Sequence, residues 1–146
     1  MLHVQQINAP QQLDFESIST ALEVETASVP IDKLNWNAFT YQPEVSFRIG
    51  HSEEMLYLKF YVSEAHVLAQ HSQPNTATHR DSCVEFFIDP DQSGGYYNFE
   101  FNCIGTTHLA YGPNRQKRSF VDPDQILDQV FTASTLGTTP FEEKSG

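Results

Sequence analysis

Between Arg80 and Gly105 the chain reads RDSCVEFFIDPDQSGGYYNFEFNCIG, and this stretch gathers the side chains best suited to holding a polar ligand. Successive side chains of a strand point to opposite faces. Val84, Phe86 and Ile88 therefore share one face and Glu85 and Asp89 the other, while Tyr97, Phe99, Phe101 and Cys103 alternate with Asn98, Glu100 and Asn102. Carboxylates accept hydrogen bonds from hydroxyls, and amides both donate and accept. Two strands that bury aromatics on one side and present Glu85, Glu100 and Asn102 on the other suit a hydroxyl-rich ligand, although a merely solvated sheet face would alternate in the same way. The same carboxylates could act as a glycosidase acid and base if held about 5 Å or about 6.5–9.5 Å apart in a deep cleft. The loops are short, so a non-catalytic site is the expectation.

Other constellations are less specific. His66, His71 and His79 fall in one polar stretch, but their spacing matches no recognised metal-ligand pattern, and surface or locally satisfied histidines are the simpler expectation. A haem- or metal-binding sensory sandwich stays open as an alternative, with Met55 or a histidine as axial ligand. Asp89, Asp91 and Ser93 precede Gly94-Gly95 in the hairpin turn. They could hold a structural calcium ion, although the twelve-residue loop ending in Glu is absent and Asx-turn chemistry accounts for the same residues. Trp36, in an expected turn over residues 31–37, is read as packed onto the domain, and Tyr97 as a core residue. Arg115 and Arg118 form a basic island that either closes over a ligand or remains solvated.

These residues need a β scaffold, and the sequence supplies one. At 146 residues the chain is long enough for one domain, 1–146, with a real core. Glu44–Ile49 alternates, a polar tip follows at Gly50–Glu54, and Met55–Val62 is strongly β-prone. Thr106–Tyr111 continues the meander, Asp122-Pro123 reads as an N-cap with proline at the first helical position, and Val130–Leu136 reads as another strand. Residues 1–29 read as an edge region with one or two short strands, and the sheet is expected to end at Leu136. Short strands between turn signals predict an all-β, antiparallel two-sheet sandwich. Cys83 and Cys103 are expected to stay unbridged, the first on the open side and the second facing the core.

Charge narrows the partners. With 8 Lys plus Arg against 19 Asp plus Glu, a net −11 argues against nucleic acid and against an anionic membrane. No apolar run of spanning length occurs, and the first residues lack a signal-peptide pattern. The expected location is cytoplasmic for a complete chain, and secreted or periplasmic for one whose leader was removed.

The runs HRDSCVEFFIDPD, GGYYNFEFNCIGT and YGPNR, with PEVSFRIG and LYLKFYVSE, closely resemble the carbohydrate-binding module family 9-like domains found in or beside bacterial polysaccharide-degrading systems. The similarity spans about Pro30 to Lys144. It implies a jelly-roll-like sandwich without catalytic activity that binds a mono- or oligosaccharide on one sheet face. Carried over, the family's ligand-holding glutamate falls on Glu85, a stacking tryptophan on His79 and an arginine on Glu100, with Arg80 flanking the site. The family's calcium sites have no unambiguous match. A second tryptophan would lie past Gly146, so the resemblance implies a domain incomplete at its C-terminus.

Overall fold

The computed structural model describes residues 2–10, 12–36 and 38–146, and the chain divides into two compact units, Met1–Ala65 and His66–Gly146. The fold is all-β and of the expected sandwich class: its sheets are antiparallel apart from one short parallel pair, and none closes into a barrel among the described residues. No helix among them is long and apolar enough to cross a membrane.

The first unit runs β1 (Gln5–Gln6), α1 (Phe15–Glu25), β2 (Val29–Pro30), β3 (Glu44–His51) and β4 (Leu56–Ser63). β3 and β4 pair over their whole length, and the other edge of β3 carries β1 in parallel and β2 antiparallel. The edge strand expected around Ile18–Val24 is instead a helix. Ile18 and Leu22, one helical turn apart, are both buried and meet Ile7, which a strand would have spread along its length. Gly50 makes this packing possible, because a Cβ there would lie 2.8 Å from Ile7 Cγ2. Asp14 starts the helix by accepting from the Glu16 and Ser17 N–H groups. Asp14→Ala is expected to lower stability by about 1 kcal/mol, read as an earlier urea midpoint with an unchanged slope. Trp36 is 69% exposed, so the expectation of a packed indole is corrected. Asn37, the last residue of the expected turn, lies outside the described residues.

The second unit holds β5 (His66–Ala69), β6 (Cys83–Ile88), β7 (Tyr96–Asn102), β8 (Thr107–Gly112), β9 (Ser119–Phe120), α2 (Pro123–Gln129) and β10 (Phe141–Ser145). The sheet order is β6-β7-β8-β9, and β5 pairs separately with β10. α2 starts at Pro123 with Asp122 accepting from Asp124 N–H, in agreement with the sequence reading.

Two expectations at the C-terminal end fail. Residues 130–134 form no strand, because hydroxyls tie that segment to the β7–β8 turn: Thr132 Oγ1 donates to Gly105 O at 2.9 Å and Ser134 Oγ to Cys103 O at 2.5 Å. The sheet does not end at Leu136, because Phe141–Ser145 pairs with β5. Its Glu, Glu and Lys side chains disguise it, as charge commonly does on a strand with one free edge. Phe141 supplies the apolar contact, with Lys144 Nζ 3.9 Å over its ring.

Candidate functional site

The register builds the site. Glu85 on β6 lies directly across from Glu100 on β7, which lies across from His108 on β8. The next row on the same face is Phe87, Asn98, Ala110 and Phe120. The short Asp-Pro-Asp turn fixes this register. Gln92 (φ 54°) and Gly94 (φ 90°) take left-handed conformations, and Ser93 N–H donates to Asp91 Oδ1 at 3.1 Å.

Openness is where the structure departs from expectation. Glu85 is exposed, whereas Glu100 (7%), Asn102 (4%) and Asn98 (1%) are buried. Asn102 is not an open ligand group. Its Nδ2 donates to Asp81 Oδ2 at 2.8 Å and to His71 O at 2.7 Å, and its Oδ1 accepts from the N–H groups of Thr106 (2.8 Å) and Ile104 (3.3 Å). With both ends of its amide engaged, Asn102 shapes the floor and has little left to offer a ligand. The aromatic face opposite is only half-buried, and Tyr97 there packs 4.6 Å from the Tyr111 ring.

Glu100 keeps an open end. Thr78 Oγ1 donates to its Oε2 at 3.2 Å, and His79 Nδ1 stands 3.7 Å from the same oxygen with its ring 57% exposed. Glu85 has no hydrogen-bond or ion-pair partner among the described residues. Glu85 is exposed as a residue but its carboxyl is partly desolvated, and that partial burial first, and then the charge of Glu100, push it above the ordinary range, against the opposing pull of Arg118, His79 and Arg115. Cys83, next along β6 on the same face, responds alike: burial, then Glu100 and Glu85, push its thiol up to about 12. No disulfide joins it to Cys103, whose Sγ lies 3.6 Å from Leu68 O.

Two buried nitrogens on this face lack hydrogen-bond partners among the described residues, Asn98 Nδ2 and His108 Nδ1. Asn98 Oδ1 accepts from Arg118, whose guanidinium lies 5.7 Å from the Tyr96 ring centroid. Burial lowers the pKa of His108, helped by Arg118 and His79 and opposed by Glu100, which favours the neutral ring. Phe87 (52% exposed) lies beside Asn98 and Phe120 (66%) stands beyond Ala110 at the far end of the same row, with its ring meeting His108 edge-on at 5.0 Å. Arg80 is exposed at the end of the 3-10 turn Thr78–Arg80.

Sequence reasoning placed Asn98 on the polar face without naming it as a ligand residue, and passed over Phe87, His108 and Phe120. The alternation that selects Glu85 also selects Phe87, and the one that selects Glu100 selects Asn98. His108 and Phe120 required the cross-strand register.

The three histidines of the polar stretch go to three separate carboxylates: His66 to Glu143 (3.6 Å), His71 to Asp81 (3.1 Å) and His79 to Glu100 (3.7 Å). At the hairpin tip, Asp89, Asp91 and Ser93 offer two carboxylates and a hydroxyl, and Asp91 Oδ1 is already taken by the Asx turn. Among the described residues no group of three His, Cys, Asp or Glu is placed to hold a metal ion.

The sequence profile described as carbohydrate-binding family 9 matches residues 16–146. No curated protein matches the chain. A crystal structure of a "putative carbohydrate-binding protein" from Bacteroides uniformis superposes with a TM-score of 0.92 at 35% identity, covering 99% of this chain and 66% of that one. The chain thus spans about two thirds of that protein's length.

Proposed function

Because the chain belongs to carbohydrate-binding family 9, we propose that it binds a mono- or oligosaccharide without chemical turnover on the face of β6–β9. Glu85 and Glu100 accept from sugar hydroxyls, Asn98 Nδ2 donates to one, and His79, Phe87 and Phe120 offer ring faces to the C–H surface. Arg80 borders the site beside His79. Asn102 holds the floor through Asp81 and the His71 carbonyl. The observation that carries this reading is the buried, unpartnered Asn98 donor on the same face as two carboxylates with open oxygens. A buried amide proton without an acceptor costs about 1–3 kcal/mol, and a bound hydroxyl would recover it.

A non-catalytic role is supported by the setting of the carboxylates. Glu85 stands exposed on an open strand face, whereas a glycosidase pair works inside a cleft that grips the sugar ring. Single-site affinity is expected in the micromolar-to-millimolar range, about −4 to −8 kcal/mol. Calorimetric titration of oligosaccharides selected on a glycan array tests the proposal. Glu85→Ala should weaken binding about tenfold, the value of one charge-assisted hydrogen bond, without lowering thermal stability, since it also relieves the repulsion from Glu100. Unaltered affinity in that variant would remove the β6–β9 face from consideration.

A further inference from the structure

The carboxylates of this face are arranged for more than neutral hydroxyls. Glu85 and Glu100 are direct cross-strand partners, and like charges placed so are destabilising. No Lys or Arg among the described residues ion-pairs with either of them. Arg118, the obvious candidate, is committed to Asn98 Oδ1 and lies over the Tyr96 ring. His79 reaches only Glu100 Oε2, at 3.7 Å, and shares that oxygen with Thr78. Glu100 Oε1 and the Glu85 carboxylate are therefore left as acceptors with no ion-paired Lys or Arg, and Arg118, His79 and Arg115 act on Glu85 only at longer range. Burial is the first cause of the upward shifts of Glu85 and Cys83, and neighbouring carboxylates add to both.

Resting on the carbohydrate reading above, we infer that the preferred ligand is a cationic amino sugar, with its protonated amine between Glu85 and Glu100 and an adjacent hydroxyl accepting from Asn98 Nδ2. An ammonium carries three donors and no acceptor, which suits a site of carboxylate oxygens. It relieves the cross-strand repulsion, which a neutral hydroxyl leaves in place. The Asn98 donor, independent of the acidic pair, asks for an acceptor on the same ligand. A sugar bearing both an amine and a hydroxyl meets both demands, and a bare metal ion meets only one.

The test compares three short ligands of equal length by calorimetry at about pH 6: a glucosamine oligosaccharide, its N-acetylated form, and a neutral glucose oligosaccharide. The glucosamine form should bind about tenfold tighter than either neutral ligand. Glu100→Gln and Glu85→Gln, which keep the shape, should each remove most of that preference. Glu53→Gln removes the same charge from the β3–β4 hairpin and should leave the preference intact. Equal loss in Glu53→Gln would reduce the effect to general attraction by an acidic protein and overturn the inference. Neutral ligands binding as well as the amine would also overturn it while leaving the carbohydrate proposal standing. Failure of all three ligands, along with every other glycan class, would sink both.

Discussion

Asp81→Ala is expected to cost about 3 kcal/mol or more of stability, the largest loss of any single side chain near the site. The Asp81 side chain is fully occluded and accepts four hydrogen bonds: from Gln70 N–H (3.0 Å), His71 N–H (3.0 Å), His71 Nδ1 (3.1 Å) and Asn102 Nδ2 (2.8 Å). Alanine strands the Gln70 N–H, His71 N–H and His71 Nδ1 donors, while Asn102 Nδ2 keeps His71 O, and each unsatisfied buried donor costs about 1–3 kcal/mol. Urea unfolding should show a lower midpoint at constant slope. Sugar binding should weaken as well, since the network anchors the loop that carries Thr78 and His79. A midpoint unchanged within error would mean that water replaces the carboxylate at no cost.

The same group gives a pH signature. Burial works against the Asp81 charge, but the hydrogen bonds from Gln70, His71 and Asn102 outweigh it and hold the carboxyl below its ordinary value. A folded pKa below the unfolded one contributes stability that is fully present above the unfolded value, about 3.9, and is lost as pH falls through the folded value. The gap between wild type and Asp81→Ala should therefore be constant from neutral pH down to about 5 and narrow below about 4. A gap that widened on acidification would contradict the sign of the shift.

How much of this was legible in the sequence depended on the range of the interaction. The β6–β7 hairpin declared itself through strict alternation and a turn of Asp, Pro and Gly, because its register depends on neighbouring residues alone. The direction in which that face looks was not legible. Alternation separates Glu100 and Asn102 from Phe99 and Phe101 without saying which set is covered, and the polar set on β7 proves to be the buried one. What covers Asn102 is the loop bearing His71 and Asp81, distant in sequence and visible only as a polar stretch. The helix at Phe15–Glu25 was missed because Val24 and Ala27–Val29 continue an apolar flavour that looks strand-like, while the decisive Ile18–Leu22 spacing gains meaning from Ile7. β10 was missed for the opposite reason, since a single phenylalanine followed by charges matches no strand pattern and its partner lies far back in the chain at β5.

Gly112 offers the second large effect, and one that couples backbone to site. A Cβ at Gly112 would lie 2.3 Å from Lys117 O and 2.8 Å from Arg118 Cα, both backbone atoms that cannot rotate away. Gly112→Ala must therefore push the Arg115–Lys117 turn and the start of β9 away from β8, at about 1–3 kcal/mol. Gly112 ends β8, and Arg118 leads directly into Ser119–Phe120. The displacement thus draws the guanidinium away from Asn98 Oδ1 and shifts Phe120 relative to His108. The expected result is a lower melting temperature together with weaker sugar binding, although the substituted atom sits one row beyond Asn98 and Ala110, beneath the Lys117–Arg118 backbone. Arg118→Gln separates the two consequences, because it removes the charge without moving β9. If Gly112→Ala lowers stability but binds sugar like wild type, Arg118 and Phe120 do not shape the site, and recognition rests on β6, β7 and the His79 turn alone.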